Sequence, residues 1–167
     1  MSDLAVQIPH ETNRRLDAID RKILMVLQED ASLSVAEIGD RVGLSSTPCW
    51  KRIQRLEADG VILRRVALLN AARLDAGVTV FVTIRAAEHS DAWLAELTAV
   101  VRRIPEIVEF YRMSGDIDYL LKIKVADIAA YDAVYKRLIH GIRLSDVSSA
   151  FAMEELKNTT AIPLPSA

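Results

Sequence analysis

Residues 34–62, SVAEIGDRVGLSSTPCWKRIQRLEADGVI, carry two amphipathic patterns separated by one short break. Ser34 and Glu37 stand three residues apart around Val35, Ile38 and Val42, which predicts a helix with a reciprocal N-terminal cap and one apolar face. Gly43 follows at once, where a left-handed residue ends a helix without steric cost, and Leu44 is placed to pack back into the corner. Ser45, Ser46 and Thr47 are each competent to cap the next helix. Pro48 suits its first turn, where an N–H would have no intrahelical partner. Cys49, Ile53 and Leu56 then repeat at i, i+4 and i+7 as a second buried stripe, and Trp50, Lys51, Gln54 and Arg55 lie away from it.

Two short helices joined by a tight Gly-Leu-Ser turn describe a helix-turn-helix, in which the second helix is wedged by one face and presents the other to a DNA groove. From Arg41 to Arg65 there are six basic and two acidic side chains, a local net of +4 on a chain whose total is −2. Phosphate binding needs one basic patch rather than bulk basicity, so this asymmetry points to DNA. A plain amphipathic hairpin with a solvated basic face would not need the turn, the caps, the outward tryptophan and the charge asymmetry together. Ser45, Ser46 and Thr47 offer hydroxyl and N–H groups to phosphates. Lys51, Gln54 and Arg55 are candidates for base edges, arginine suiting guanine and glutamine suiting adenine. Trp50 and Arg52 complete the predicted DNA-facing set.

The chain has 167 residues, 51% of them hydrophobic, enough for one large or two small cores. No stretch approaches the length of a membrane span. The opening MSDLAVQIPHETNRR lacks the continuous apolar core of a signal peptide, and the lone Cys49 excludes a disulfide framework, so a cytoplasmic location is expected, with residues 1–15 as a loose arm. Cys49 reads as a small buried filler.

Leu16, Ile19, Ile23 and Leu27 mark a helix ahead of the pair, with Asp17 as its cap and an end near Asp30 to Ser32, so three helices fit a DNA-binding domain over 16–65. The segment VILRRVALLN, 61–70, is rich in aliphatic and β-branched residues and reads as a strand or short wing, with Arg64 and Arg65 against the DNA backbone or simply solvated. Residues 66–77 form a linker strand and loop. Over 78–163 the pattern becomes strand VTVFVTIRA, a helix from SDAWLAELTAVVRRI closed by Pro105, strand IVEFYRM, a Ser114-Gly115-Asp116 turn, strand IDYLLKIKVA, a helix capped by Asp127, and strand VSSAFAMEELK. Ile128, Tyr131, Val134, Tyr135 and Leu138 are the apolar positions of the last helix. A split βαβ pair of this kind is a ferredoxin-like βαββαβ domain, so the chain as a whole is α+β. VTVFVTI, YLLKIKV and SSAFAM are apolar on more than alternate positions, which predicts that the sheet face opposite the helices is covered as well, most simply by a second copy in an obligate dimer.

No catalytic constellation is present. His10, His89 and His140 lack metal-ligand spacing, and P-loop, G-x-S-x-G and G-x-G-x-x-G patterns are absent, so neither an enzyme nor a cofactor is expected. Asp116 and Asp118 suit turn residues better than catalytic carboxylates. An acylphosphatase-like enzyme would need an anion-cradling loop where RAAEHSDA stands, and a ferredoxin-like RNA binder would need more exposed aromatics than Phe110 and Tyr111.

LDAIDRKILMVLQEDA, GLSSTPCWKRIQRLEADGVI and RMSGDIDYLLKI, in that order, resemble the leucine-responsive regulatory protein and asparagine-regulator (Lrp/AsnC) family of bacterial transcription factors, over about Leu16 to Pro163. Within it, STPCWKR and SSAFAMEELKNTTAIPLP look closest to the cysteine-responsive activators, and regulators of branched-chain amino-acid and proline catabolism are also similar. The resemblance implies a winged helix-turn-helix that binds double-stranded DNA and a C-terminal domain for amino-acid sensing and self-assembly, as dimers that associate further, up to octamers. It places the effector, L-cysteine by the subgroup, at the turn formed by Met113, Ser114, Gly115, Asp116 and Asp118. N–H groups around Gly115 would receive the carboxylate, an Asp would attract the ammonium, and Ser149 is a lesser candidate.

Overall fold

The computed structural model describes residues 16–164; the arm assigned to residues 1–15 lies outside them. The described residues divide into two compact units, one of residues 16–67 with 158–164 and one of residues 68–157.

The first unit holds α1 (Ala18–Glu29), α2 (Val35–Val42) and α3 (Ser46–Ala58). Asp17 caps α1 in a reciprocal box with Asp20, and Ser34 caps α2 in the same way with Glu37, as the spacing of the acids predicts. Gly43 ends α2 at φ 76°, ψ 36°. Ile23, Leu24, Ile38, Val42, Cys49, Ile53 and Leu56 close the core, with Leu16, Ile19 and Leu27 packed at its margin. Burial pushes the Cys49 thiol up, in keeping with a filler rather than a reactive group.

One expectation for this unit is corrected. The segment expected as a strand or wing after Gly60 forms no strand, and Leu63, Val66, Leu68 and Leu69 stand exposed. β-Propensity expresses itself only against a partner strand, and none is offered to this segment by the described residues. From Asn158 the C-terminal tail groups with the helical unit.

The second unit holds β1 (Val78–Ala86), α4 (Asp91–Arg102), β2 (Ile107–Arg112), β3 (Tyr119–Val125), α5 (Ile128–Gly141) and β4 (Leu144–Phe151), after a 3₁₀ turn at Ala71–Leu74. The sheet runs β2-β3-β1-β4, every neighbouring pair antiparallel, which is the ferredoxin-like order. Val80, Val82 and Ile84 of β1 and Tyr119, Leu121, Ile123 and Val125 of β3 point to the helix layer, where Trp93, Leu97 and Val101 of α4 meet Tyr131, Val134 and Leu138 of α5. The two helices approach so closely that a Cβ on Gly141 would come within 2.8 Å of Val100. Ile128, read as one of the apolar positions of α5, is 71% exposed in its first turn.

The opposite face is mixed rather than continuously apolar. Phe81, Leu120, Tyr111 and Ala150 share it with Lys122, which pairs with Glu109 at 2.9 Å, and Lys124, which donates to Thr79 at 2.7 Å. β4 ends at Phe151, short of the predicted EELK, and Met153 is 96% exposed beyond it.

Candidate functional site

Gly39 sets the helix-turn-helix corner. A Cβ there would lie 2.6 Å from the Leu44 carbonyl oxygen, whose own N–H donates to the Gly39 carbonyl at 2.9 Å. Only glycine lets the turn close this tightly, and apolar periodicity carries no signal for it. The outcome is that α3 buries Cys49, Ile53 and Leu56 and leaves Ser46, Thr47, Trp50, Lys51 and Gln54 exposed as one contiguous face. Ser45 is the residue that precedes the helix, with extended backbone and no side-chain cap hydrogen bond, so its hydroxyl and the first-turn N–H groups are presented outward. That is an arrangement into which a phosphate fits. Gln54 is steadied by a hydrogen bond from its Nε2 to Glu57 at 3.0 Å.

Arg52 and Arg55 do not share this face. Both turn toward α1, where the Asp20 carboxylate is buried and accepts from Arg52 Nη1 at 2.8 Å and from Arg55 Nη2 at 2.6 Å. Arg52 also reaches Asp17 at 2.6 Å. Asp17 is held below the usual carboxylate range, first by the Asp20 N–H and then by Arg52. A buried carboxylate with two guanidinium partners is a clamp between the first and third helices. Arg52 and Arg55, expected to face DNA, are thus paired with α1, while the Arg55 side chain keeps 39% of its surface exposed. The clue lay in α1, where an acid at position 20 adjoins the apolar positions Ile19 and Ile23, a place that demands a cation from a neighbour. Arg65 is likewise paired, with Glu57 at 3.2 Å, whereas Lys51 remains on the open face.

In the second unit, Met113, Ser114, Gly115 and Asp116 line the turn from β2 to β3 and are exposed. Gly115 takes φ 114°, a conformation that disfavours any side chain, although the space around it is open. Asp118 is engaged: its carboxylate accepts from the Ala86 N–H at 2.8 Å, its own N–H donates to the Ile84 carbonyl at 3.0 Å, and its carbonyl receives the Met113 N–H at 2.8 Å. It fixes the turn against the end of β1, which leaves Asp116 as the acid in the open. Ser149 is not brought to this turn. It lies on β4, two strands from β3, with its hydroxyl hydrogen-bonded to the Tyr131 hydroxyl.

The rival readings meet specific obstacles. The Ala86 N–H that an anion after β1 would need is occupied by the Asp118 carboxylate. Phe110 packs on Tyr119 in the helix layer with ring centroids 5.5 Å apart, so Phe110 and Tyr111 are not a stacking pair. Among the described residues no three His, Cys, Asp or Glu side chains gather as a metal site, and no helix is long and apolar enough to cross a membrane.

Residues 16–57 match the AsnC-type helix-turn-helix domain, and residues 79–162 match the Lrp/AsnC ligand binding domain. The glutamate uptake regulatory protein of Zymomonas mobilis is 53% identical over 152 residues, covering 91% of this chain and 93% of that one. The DNA-binding transcriptional activator DecR of Escherichia coli is 47% identical over 150 residues, 89% of this chain and 99% of that one. A transcriptional regulator of Neisseria meningitidis, solved as a complex with L-Met, superposes with a TM-score of 0.85 at 34% identity, covering 89% of this chain and 97% of that one.

Proposed function

This chain belongs to the Lrp/AsnC family of transcriptional regulators, a DNA-binding and not an enzymatic family, and from that premise we propose how it reads DNA and what it senses. The observation that carries the proposal is the division of α3 into a face tied down by Asp20 and a face open to a groove. Lys51, Gln54 and Trp50 meet base edges in the major groove, and Ser45, Ser46 and Thr47 position the phosphates. Two copies present their α3 helices to half-sites about 10 bp apart. The unpaired apolar segment Leu63–Leu69 and the sheet face around Phe81 and Tyr111 are the surfaces a second copy would cover, and higher assembly up to octamers builds on that dimer.

The effector is a small amino acid held at the Met113–Asp116 turn, its carboxylate on N–H groups around Gly115 and its ammonium beside Asp116. L-cysteine is the first candidate, on the likeness of the STPCWKR stretch to the cysteine-responsive activators and the kinship with DecR. Glutamate and methionine rank next, from the names of the other two relatives. An amino acid alters DNA binding only by as much as it binds one assembly better than another.

The test is a thermal-shift screen of the twenty amino acids against the full chain, since a ligand of the folded state raises the transition by mass action. One or a few should stabilise the wild type and fail to stabilise Gly115→Ala, whose DNA affinity stays within about twofold. A normal response in Gly115→Ala would remove the effector from this turn.

A further inference from the structure

The tail of the chain is docked on the helical unit. The Gln28 side chain grips the backbone of Ile162 in both directions, its Nε2 donating to the carbonyl at 3.2 Å and its Oε1 accepting the N–H at 2.6 Å. Leu164 packs at the margin of the core formed by α1, α2 and α3. The Ala161 N–H donates to Thr159 Oγ1 at 3.1 Å, which shapes the approach. The Ile162 side chain is 69% exposed, so the tail is held by its backbone and by Leu164, not by Ile162 burial. Gln28 is a half-buried amide on α1, the helix whose Asp20 clamps Arg52 and Arg55 of α3.

The chain that leaves β4 at Phe151 reaches this grip after residues 152–157, so the helical unit is joined to the other unit by two segments: the linker after Ala67 and the stretch before Asn158. We propose that residues 158–164 are an internal strap, docked in cis through Gln28 and Leu164, which sets the recognition helix through α1. Hydrogen bonds of this kind are each weak enough to release and together strong enough to bias α1. It gives β4 a route to α3 that does not pass through the linker, and it holds whichever amino acid is sensed.

The experiment is hydrogen–deuterium exchange by mass spectrometry on the full chain, on Gln28→Ala and on a chain ending at Lys157. In the wild type the Ile162 amide should exchange at least tenfold more slowly than in an unstructured peptide, equally at low and high protein concentration. Gln28→Ala should abolish that protection. In both variants α1 and α3 peptides should exchange severalfold faster, while β1 and β3 peptides stay unchanged. Unprotected exchange of the tail in the wild type would overturn the strap. So would α1 and α3 peptides indifferent to its loss, or protection that grows with concentration, which would seat the tail on another copy. Should the truncated chain fail to fold, Gln28→Ala, a single side-chain change on α1, still decides the outcome.

Discussion

Trp50, Lys51 and Gln54 lie within a turn of Arg52 and Arg55 on the same helix, yet the two sets stand in opposite surroundings. The first is exposed and held by nothing beyond a glutamine–glutamate hydrogen bond. The second is drawn onto a buried carboxylate of α1. Positive charge on a recognition helix is thus not one quantity. A cation whose neighbour is buried Asp20 stabilises the domain, and a cation with open surroundings is available to phosphate or base.

The largest expected effect comes from replacing both Arg52 and Arg55 by glutamine. The buried Asp20 carboxyl then loses both cationic partners, and urea unfolding should show a loss of about 3 kcal/mol, at the lower end of broken buried pairs because the two arginines are partly exposed. Stability within about 0.5 kcal/mol of wild type would return the two arginines to the DNA face.

Gly39→Ala comes next. Its Cβ has to displace a backbone carbonyl now 2.6 Å away, for about 2 kcal/mol, and neither face of α3 changes its own chemistry. The slope of log affinity against log salt should stay as in wild type even where affinity falls; a shallower slope would mean that the corner itself makes phosphate contacts.

Lys51→Ala separates the faces from the other side. Fluorescence anisotropy with duplex DNA should show affinity down about tenfold and the salt slope reduced by about one, with unfolding unchanged. An unaltered slope would show that Lys51 is not a phosphate contact and leave Trp50 and Gln54 as the readers.

The smallest effect is acidic. The Asp17 carboxyl is depressed in the folded chain, so its contribution is complete above about pH 4 and is lost as pH falls through the lower folded value. Asp17→Ser retains a capping oxygen without the charge. Its urea midpoint should fall less steeply than wild type between pH 4 and pH 3, and parallel curves would mean that the Arg52 contact adds nothing at Asp17.

Much of this was legible in the chain because it depends on neighbours in sequence. The caps at Asp17, Ser34 and Asp127, the left-handed stop at Gly43 and the stripe Cys49, Ile53, Leu56 are all encoded within one or two helical turns. The βαββαβ order follows from alternation in VTVFVTIRA and YLLKIKV broken by the turn at Gly115. The candidate effector turn was legible as a turn. That Asp118 rather than Asp116 fastens it was not, since the Ala86 N–H is 32 residues away in sequence.

What could not be read depends on partners remote in the chain. Val61–Asn70 has the composition of a strand, but a ladder needs a second strand and the described residues supply none. The pairing of Arg52 and Arg55 with Asp20, 32 and 35 residues away, leaves no trace in the sequence around them. Gln28 has no visible purpose until Ile162, 134 residues on, is brought to its amide. Local backbone preference and side-chain period settle which segments become helices and strands and where they stop. Which charge is paired inside, which stays exposed, and where the tail is held are decided only when distant groups meet, because burial and electrostatic pairing act through space and not along the chain.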